Sequence, residues 1–515
     1  MCRRRAPARP RPDRPLSTHG TNPGTDAGAA IDPLNAPDAG ARAIRGGSLR
    51  ILGYGLGALC YLVTAPFLIR HLGVEDFGGY VAVLALVGVV ALVSDAGLTL
   101  VGLREYAVRD EPGRTRLLDS LIALRLAVAI AGVAAACGFA AISGYAPELI
   151  VGTALAGAGL LLVVVEQTCS IALTSQLRFG AVTVLEVGRA ALTAAGLLAL
   201  IALGAGVTLL LAISLPVSAV IALLARRLLR GHGIRPRFDR AEWAYLIREA
   251  IPVAIASSIG SLFYRSAIVV MSITATTAET SYFAASYRIL EALIVIPGLL
   301  CATAFPILAR AAEEDEDRTA FALQSLADVG LVLGTAAGLT LALAARPVVL
   351  FLAGGDFEPA IPVLQIQAAA LPATFLVAVW ATGLWAVRGQ RLLAIANCVG
   401  VATAVTLSAI AASTTGAQGV AVAMLVAECL LAALYLAALV RQRPGLRPAA
   451  RVVPKVVLAA ALGCGAFLLP VPDLARAACG AAAYGIAILL MRAMPPDVWL
   501  AFTALRPGGR AAGEV

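Results

Sequence analysis

Long apolar runs recur along nearly the whole chain, and they constrain its fold more than any other feature. Each run is close to the roughly 20 residues that a helix needs to cross a hydrocarbon core, and the connections between runs are too short to hold a folded domain. Hydrophobic residues make up 60% of the chain and charged residues 14%, whereas soluble domains are about 25% charged. The sequence therefore excludes a soluble globule and predicts a polytopic membrane protein.

The apolar residues are mainly Ala, Leu, Val and Gly, which let membrane helices approach each other closely. A membrane barrel would instead show alternating segments of about ten residues. We therefore expect an all-α polytopic membrane protein with about 14 transmembrane helices. The expected spans are 49–69, 79–101, 118–143, 148–173, 180–203, 206–226, 247–273, 282–308, 321–345, 363–386, 391–412, 417–440, 453–470 and 475–493.

Basic residues concentrate in alternate loops, while the opposite loops hold little beyond Arg70 and Arg346. Because cytoplasmic loops are enriched in Arg and Lys, this bias predicts an inner (plasma) membrane protein with both termini in the cytoplasm. The basic loop residues are Arg104, Arg109, Arg114, Arg116, Arg178, Arg226, Arg227, Arg230, Arg235, Arg237, Arg240, Arg310, Arg318, Arg388, Arg391, Arg441, Arg443, Arg447, Arg451 and Lys455.

Both ends of the chain are predicted to be tails outside the membrane. Residues 1–47 are rich in Arg and Pro and poor in large apolar residues, which predicts a disordered cytoplasmic tail. A signal peptide is the competing interpretation, but no apolar run follows the early arginines before residue 48. We expect this tail to be solvated or attracted to lipid headgroups, not bound to nucleic acid. Residues 495–515 are expected to form a second cytoplasmic tail.

Cysteine and lysine usage gives no sign of a cofactor. All cysteines except Cys2 lie in apolar runs, without CxxC spacing or a Cys/His cluster, so we expect neither disulfides nor a metal site. The single lysine, Lys455, follows Pro454, which excludes a GxxxxGK phosphate loop.

A weak internal sequence repeat divides the chain into two halves. Gln176 and Arg178 with the helices after them resemble Gln390 and Arg391 with theirs, six spans later. Such a parallel repeat is typical of transporters made of two six-helix halves. The predicted divisions are an N-terminal six-helix lobe (48–230), a C-terminal six-helix lobe (240–440) and two additional helices (452–494).

Charged residues of both signs fall inside the predicted spans, where burial of a charge costs about 2.5 to 3.5 kcal/mol unless the side chain has a partner or faces a cavity. Glu186 and Arg189, and likewise Arg288 and Glu291, are three residues apart and can neutralise each other on one helical face. The charged span residues are Asp95, Arg125, Glu166, Glu186, Arg189, Arg265, Arg288, Glu291, Asp328 and Glu428.

Arg125 and Arg265 have no acid at helical spacing, so each needs a partner on another helix, water in a cavity, or an anionic ligand. A guanidinium binds phosphate oxygens bidentately and stays charged. We therefore predict that Arg125, Arg265, Arg288 and Arg189 contribute to a cationic substrate cavity, with ion pairs between helices as the alternative for Arg125 and Arg265.

Four acids are candidates for coupling to Na⁺ or H⁺: Asp95, Glu166, Asp328 and Glu428. For the first three, which lie near the cytoplasmic ends of their spans, snorkelling or pairing with loop arginines is the alternative.

The first loop carries the pattern R-x-LG-x-x-x-FG-x-Y from Arg70 to Tyr80, and Asp95 with Gly97 continues as D-x-G. This pattern resembles the oligosaccharide flippases of the polysaccharide-biosynthesis branch of the multidrug/oligosaccharidyl-lipid/polysaccharide exporter superfamily, over roughly residues 48–440. Further matching residues are Arg104, Pro252, Tyr264, Arg265, Tyr287, Arg288, Pro306, Gly354, Gly355, Phe357, Pro362, Leu364, Gly389, Arg391, Gly416 and Gly419.

The resemblance implies two lobes around a central cavity and alternating access. It implies a flippase, not an enzyme, that carries a polyprenyl-diphosphate-linked oligosaccharide to the outer leaflet for cell-surface polysaccharides such as the O-antigen of lipopolysaccharide. The implied partners are this lipid-linked sugar and membrane lipids, and a polysaccharide polymerase remains an open alternative. A drug or metabolite exporter of the same fold, or a membrane enzyme acting on lipid-linked sugars, is the competing function.

Two positions depart from the pattern. Family members often carry an acid where this chain has Ser266, so the resemblance does not imply an ion pair or ion coupling at that point. The related lipid II flippase is usually described with cavity arginines reaching the first span, where only Arg50 approaches, so lipid II is the less expected cargo.

Overall fold

The computed structural model describes residues 39–229, 235–257 and 259–493, and this part of the chain is helical without strands. Helices suit a bilayer because they satisfy their backbone hydrogen bonds internally. Ten of the helices are long and apolar enough to cross a membrane. The chain is therefore a multi-pass all-α membrane protein, as predicted.

Two of these ten helices are too long for one crossing. Gly55–Val108 has 54 residues and Gln390–Gln442 has 53, or about 80 Å each, against a hydrocarbon core of about 30 Å. They bend at Gly73 (φ 67°) and Gly416 (φ 61°), so each crosses twice. Together with two shorter apolar helices, they bring the described crossings to the expected 14. The shorter helices are Arg265–Thr274 and Val453–Leu468.

The N-terminal part of the fold is built on an apolar core that includes Leu117, Leu121, Leu173 and Leu185. Its helices are α1 (Ala39–Asp95), α2 (Leu98–Val108), α3 (Glu111–Ile142), α4 (Pro147–Ser175), α5 (Phe179–Ala202), α6 (Val207–Ala212) and α7 (Ser214–Leu228). We call the residues of α1 before and after Gly73 its first and second arms; α2 continues the second arm.

The described C-terminal part has ten α-helices: α8 (Arg240–Ser257), α9 (Ile259–Thr274), α10 (Thr277–Glu314), α11 (Glu316–Leu343), α12 (Ala345–Leu352), α13 (Ala360–Ala369), α14 (Leu371–Ala386), α15 (Gln390–Gln442), α16 (Val453–Cys464) and α17 (Asp473–Leu490). The last two helices pack on α11. One of these contacts is a 2.9 Å hydrogen bond from the Tyr484 hydroxyl to the Val332 carbonyl.

The bundle has two ends, which we label outer and inner after the orientation that the arginine bias predicts. The outer end carries the bends at Gly73 and Gly416, and the inner end carries Arg109 and Arg388.

The chain ends differ in part from expectation. Helix α1 begins at Ala39, inside the segment 1–47 that was predicted to be a tail. Residues 1–38 and the predicted C-terminal tail 495–515 lie outside the described residues.

The two parts of the fold meet chiefly near the outer end. One buried cluster joins Phe77 of α1 to Phe283 of α10, to Phe357, which follows α12, and to Phe375 of α14. The seventh crossing connects the parts, because α8 packs into the N-terminal core through Leu246 while α9 packs against α15.

Candidate functional site

The N-terminal part contains a buried ion pair between helices. Arg125 of α3 has no solvent-exposed surface, and its Nη2 donates to Asp95 Oδ1 at 2.9 Å and to Gln167 Oε1 at 2.7 Å. Its Nε and Nη1 are buried without an acceptor among the described residues. Arg125, a predicted substrate ligand, is therefore enclosed and paired in this conformation.

Asp95 lies where its helix is interrupted. Ala96 (φ 34°) and Gly97 (φ 77°) separate α1 from α2, and Asp95 Oδ1 also accepts from the Thr99 hydroxyl at 2.5 Å. A Cβ atom at position 97 would lie 3.0 Å from the Ala254 amide nitrogen, so α8 closely approaches the interruption. Interrupted membrane helices commonly hold ion or substrate sites, and Asp95 keeps 34% of its side chain exposed.

A second ion pair lies beside the first. Arg189 Nη2 of α5 donates to Glu166 of α4, whose other oxygen accepts from the Ser170 hydroxyl at 3.1 Å. Arg189 is thus held by a neighbouring helix, and not by Glu186 one turn away. Glu186 also has an interaction partner.

In the C-terminal part, the expected pair of Arg288 and Glu291 is present. Arg288 Nη1 lies 3.2 Å from Glu291 Oε2, with 38% and 49% of these side chains exposed. A half-exposed ion pair contributes little to stability, so Arg288 can exchange this partner for another anion.

Arg265 of α9 is exposed and makes no ion pair within the described part of the chain. Its guanidinium lies against Gly88 of α1, where a methyl group would collide with Nη1. It is also close enough to Tyr287 to interact with its phenol electrostatically, as is Arg288. Two of the four predicted cavity arginines, Arg265 and Arg288, therefore both lie in the neighbourhood of Tyr287.

The other two predicted coupling acids lie apart from the N-terminal pairs. Asp328 of α11 accepts from Gln324 Nε2 at 2.7 Å. Glu428 is buried on α15 and has a partner. The partners described for Asp95, Glu166 and Asp328 are all residues of helices, and the loop arginines considered as alternatives are not among them.

The outer end is closed by contacts across the two parts of the fold. Arg70 Nη2 donates to the carbonyls of Leu350 at 3.1 Å and Phe351 at 2.5 Å. The Ser281 hydroxyl donates to the Val74 carbonyl.

Two further contacts complete this closure. The Tyr145 hydroxyl and Ser272 Oγ are 2.6 Å apart, and the Phe77 and Phe357 rings meet edge to face with centroids 6.1 Å apart. We call these contacts, with those of Arg70 and Ser281, the outer latch.

At the inner end, the described polar contacts between the parts involve α8. Arg109 Nη1 lies 2.6 Å from Glu242 Oε1, and the Tyr245 hydroxyl donates to Glu105 Oε1 at 2.9 Å. Burial disfavours the charge of Arg109, but its hydrogen bonds to Glu242 and Glu105 outweigh burial and raise its pKa. The hydrogen bond to Glu105, with burial, also raises the pKa of Tyr245. These contacts attach α8 to α2 at the inner end, whereas the outer latch joins the two parts through other helices.

Several site residues were not identified from the sequence. Gln167 looks like an ordinary polar residue near a helix end, and Gly88 like a packing glycine. Tyr145 and Ser272 are 127 positions apart, and the outer latch also uses backbone carbonyls, which carry no sequence signal. For Gln167, its place next to Glu166 inside an apolar run was the available signal.

Comparisons with known proteins were made for sequence families, curated proteins and solved structures. A family described as polysaccharide biosynthesis protein matches residues 43–312. No curated protein matches the chain.

Among solved structures, the lipid II flippase MurJ in an inward closed conformation has a TM-score of 0.69 at 14% identity, covering 86% of this chain and 99% of that one. An inward-facing multidrug resistance MATE family transporter of the MOP superfamily has a TM-score of 0.63 at 16% identity, covering 77% and 98%. An outward-facing MATE transporter of that superfamily has a TM-score of 0.52 at 15% identity, covering 78% and 96%. At these identities the likeness concerns the fold.

Proposed function

Because the chain belongs to the polysaccharide biosynthesis protein family, we propose that it is a flippase. Its cargo is an oligosaccharide linked to a polyprenyl diphosphate, which it moves from the cytoplasmic to the outer leaflet for cell-surface polysaccharide synthesis. The transporter fold shared with MurJ and the MATE proteins supports movement of a substrate between two conformations. The work of the protein is translocation, without covalent chemistry.

The observation that carries this proposal is the state of Arg265. It is an exposed guanidinium without an ion-pair partner in the described chain, placed against Gly88 at the junction of the two lobes. An unpaired charge inside a membrane protein is costly unless water or a ligand compensates it. A diphosphate offers several anionic oxygens that suit the fork of a guanidinium.

Arg288 is the second diphosphate ligand in this proposal. It shares α10 with Glu291, and its present ion pair is half exposed. Arrival of the diphosphate would transfer Arg288 from Glu291 to the cargo, because a doubly charged group competes well with a single carboxylate. Arg125 and Arg189 do not bind the diphosphate directly in this proposal, because each is held by an acid of another helix.

Alternating access follows from the asymmetric closure of the bundle. The outer latch joins the lobes at one end, whereas α8 carries the described polar contacts at the other. The sugar headgroup would enter between α1 and α10 from the cytoplasmic side while the polyprenyl tail stays in the bilayer. Breaking of the outer latch would then release the headgroup outside.

Ion coupling, in this proposal, belongs to the N-terminal part. Asp95 and Glu166 pair with two guanidiniums, Arg125 and Arg189, across neighbouring helices, and Glu186 is close enough to Glu166 to interact with it electrostatically. Asp95 is more exposed than Glu166 and lies at the interrupted helix, where a change of protonation or Na⁺ binding would alter the angle between α1 and α2. Asp328 and Glu428 stay secondary candidates.

The test is reconstitution in liposomes with a fluorescent polyprenyl-diphosphate oligosaccharide, where a membrane-impermeant quencher reports the fraction in the outer leaflet. We expect the native protein to equilibrate this lipid between the two leaflets. In protein-free liposomes, the fraction in the outer leaflet should stay constant. If the protein transports a soluble organic cation and moves no lipid-linked sugar, it is an exporter of the same fold and not a flippase. Release of free sugar or diphosphate would indicate an enzyme.

A further inference from the structure

Two arginines at the inner end of α15 flank an open groove. Because α15 bends at Gly416, its first turn and its last turn lie side by side, and they bring Arg391 next to Arg441. The groove has a volume of about 430 Å³ and is lined by Arg391, Leu392, Ile395, Arg441 and Gln442. This volume lies in the range of small-ligand sites, roughly 300 to 1,000 Å³.

The groove has a fixed geometry. Gln442 Nε2 donates to the Val387 carbonyl at 2.7 Å, and Gln442 Oε1 lies where a side chain at Gly389 would otherwise project. These contacts tie the end of α15 to the turn that precedes its start. The spacing of the two guanidiniums therefore depends on the fold and not on a chance approach of two surface side chains.

The charges of this groove are not compensated by protein. Arg391 and Arg441 are exposed and form no ion pair or hydrogen bond with any residue that the structure describes. The neighbouring arginines differ: Arg388 pairs with Glu313 at 2.8 Å, and Arg443 donates to the Ala312 carbonyl at 3.0 Å. The arginines next to the groove thus have protein partners, whereas the two arginines in the groove are available to bind an external anion.

The remaining walls select the kind of anion. Leu392 and Ile395 line the groove, Ile395 is 53% exposed, and Val399, one turn further along the same helix, is 42% exposed. An apolar strip therefore leads from the arginines along the surface of a membrane-crossing helix. The first turn of α15 carries the positive end of a helix dipole and its last turn the negative end, so the net positive charge of the groove comes from the two arginines. A free phosphate would use only the charges, whereas a phospholipid would also use the apolar strip.

We propose that this groove binds the phosphate headgroup of an anionic phospholipid of the inner leaflet, with an acyl chain lying along Ile395 and Val399. Basic grooves between membrane helices on the cytoplasmic side are suited to such headgroups. The bound lipid would bridge both ends of α15 and hold the inner end of the C-terminal lobe together. This site is separate from Arg265 and Arg288, and it stands whether or not the chain flips a lipid-linked sugar.

The experiment is native mass spectrometry of the full chain titrated with phosphatidylglycerol or phosphatidylcholine in detergent. We expect phosphatidylglycerol to be retained preferentially. Each arginine without an acid partner near a membrane surface favours anionic lipid by about fivefold, so Arg391→Gln with Arg441→Gln should weaken retention by about 25-fold. The control is Arg388→Gln, which removes a nearby charge that Glu313 already balances and should leave retention unchanged.

Three results would overturn the proposal. One is equal retention of phosphatidylglycerol by the native chain and the double variant while both stay folded, as monitored by thermal unfolding. Another is displacement of the lipid by millimolar inorganic phosphate, which would indicate a free-anion site. A third is preferential retention of a polyprenyl diphosphate over phosphatidylglycerol that depends on the same arginines, which would assign the groove to cargo.

Discussion

Arg125 and Asp95 form an ion pair between α3 and the interrupted end of α1, with 2.9 Å between Nη2 and Oδ1. The guanidinium is completely buried, while a third of the carboxylate side chain remains exposed. The pair thus connects an enclosed cation to an acid that a proton or a small ion can reach.

Removal of one member of this pair should destabilise the protein more than removal of both. Asp95→Asn leaves the buried Arg125 charge without its acid, and we expect a loss of about 2 to 4 kcal/mol in stability. The double variant Asp95→Asn with Arg125→Gln should recover part of that loss. Thermal unfolding in detergent of the native protein, both single variants and the double variant measures this cycle. Additive losses would contradict a direct interaction.

Weakening of the outer latch should favour opening at the outer end. Tyr145→Phe removes the hydroxyl that contacts Ser272, and one hydrogen bond of about 1 kcal/mol corresponds to a shift of about fivefold in the open fraction. Hydrogen exchange followed by mass spectrometry should show faster exchange in residues 74–82 and 277–285.

Tyr61→Phe is the control for that experiment, because Tyr61 is exposed and has no hydrogen bond in the described chain. Unchanged exchange at the outer end in Tyr145→Phe, or an equal increase in Tyr61→Phe, would mean that the Tyr145 contact does not hold the lobes together.

The two bends should differ in their tolerance of a side chain. Gly73 and Gly416 both have positive φ values that are strained for other residues, at a cost of about 1 to 3 kcal/mol. Around Gly73 there is open space, whereas a Cβ atom at Gly416 would lie 2.5 Å from Glu279 Oε2. That oxygen also accepts from the Ala417 amide at 2.6 Å.

Gly416→Ala should therefore lower the unfolding temperature more than Gly73→Ala. Both variants can be compared by fluorescence-detected thermal unfolding in one detergent. An equal loss would indicate that backbone conformation alone determines the cost and that the contact with Glu279 adds nothing.

Tyr245 provides a pH-dependent contact at the inner end. Its hydrogen bond to Glu105 raises the pKa of the phenol, so the folded protein favours the protonated form. This contribution to stability is fully present below the ordinary tyrosine pKa of about 10 and is lost as the pH rises through the higher folded value. Ultraviolet titration, with Tyr245→Phe to assign the signal, should show a later ionisation that Glu105→Gln shifts to lower pH. Ionisation of Tyr245 at the ordinary pH in the native protein would contradict this hydrogen bond.

The sequence predicted the crossings better than the site. Apolar runs and arginine-rich loops mark each crossing locally, so even the bent helices at Gly73 and Gly416 were divided correctly. The pair of Arg288 and Glu291 was found for the same reason, since one helical turn joins its members. Arg125 and Asp95 are 30 positions apart and Arg189 and Glu166 are 23, so packing between helices alone determines those partners.

The proposed function depends most directly on the guanidinium of Arg265, and two variants perturb it in different ways. Arg265→Gln removes the charge, while Gly88→Ala keeps it but places a methyl group against Nη1. Matched controls are Arg346→Gln, an exposed arginine paired with Glu358 in the outer loop, and Gly298→Ala, a helical glycine with open space around it.

The decisive measurement is the initial rate of transbilayer movement of the fluorescent polyprenyl-diphosphate oligosaccharide in liposomes that contain equal amounts of folded protein. We predict that Arg265→Gln slows movement by about tenfold or more, as expected for loss of a charged hydrogen bond of roughly 1.5 to 3 kcal/mol. Gly88→Ala should slow it as well, and both controls should match the native rate. Native-like movement by Arg265→Gln would contradict a cationic cleft that binds the diphosphate.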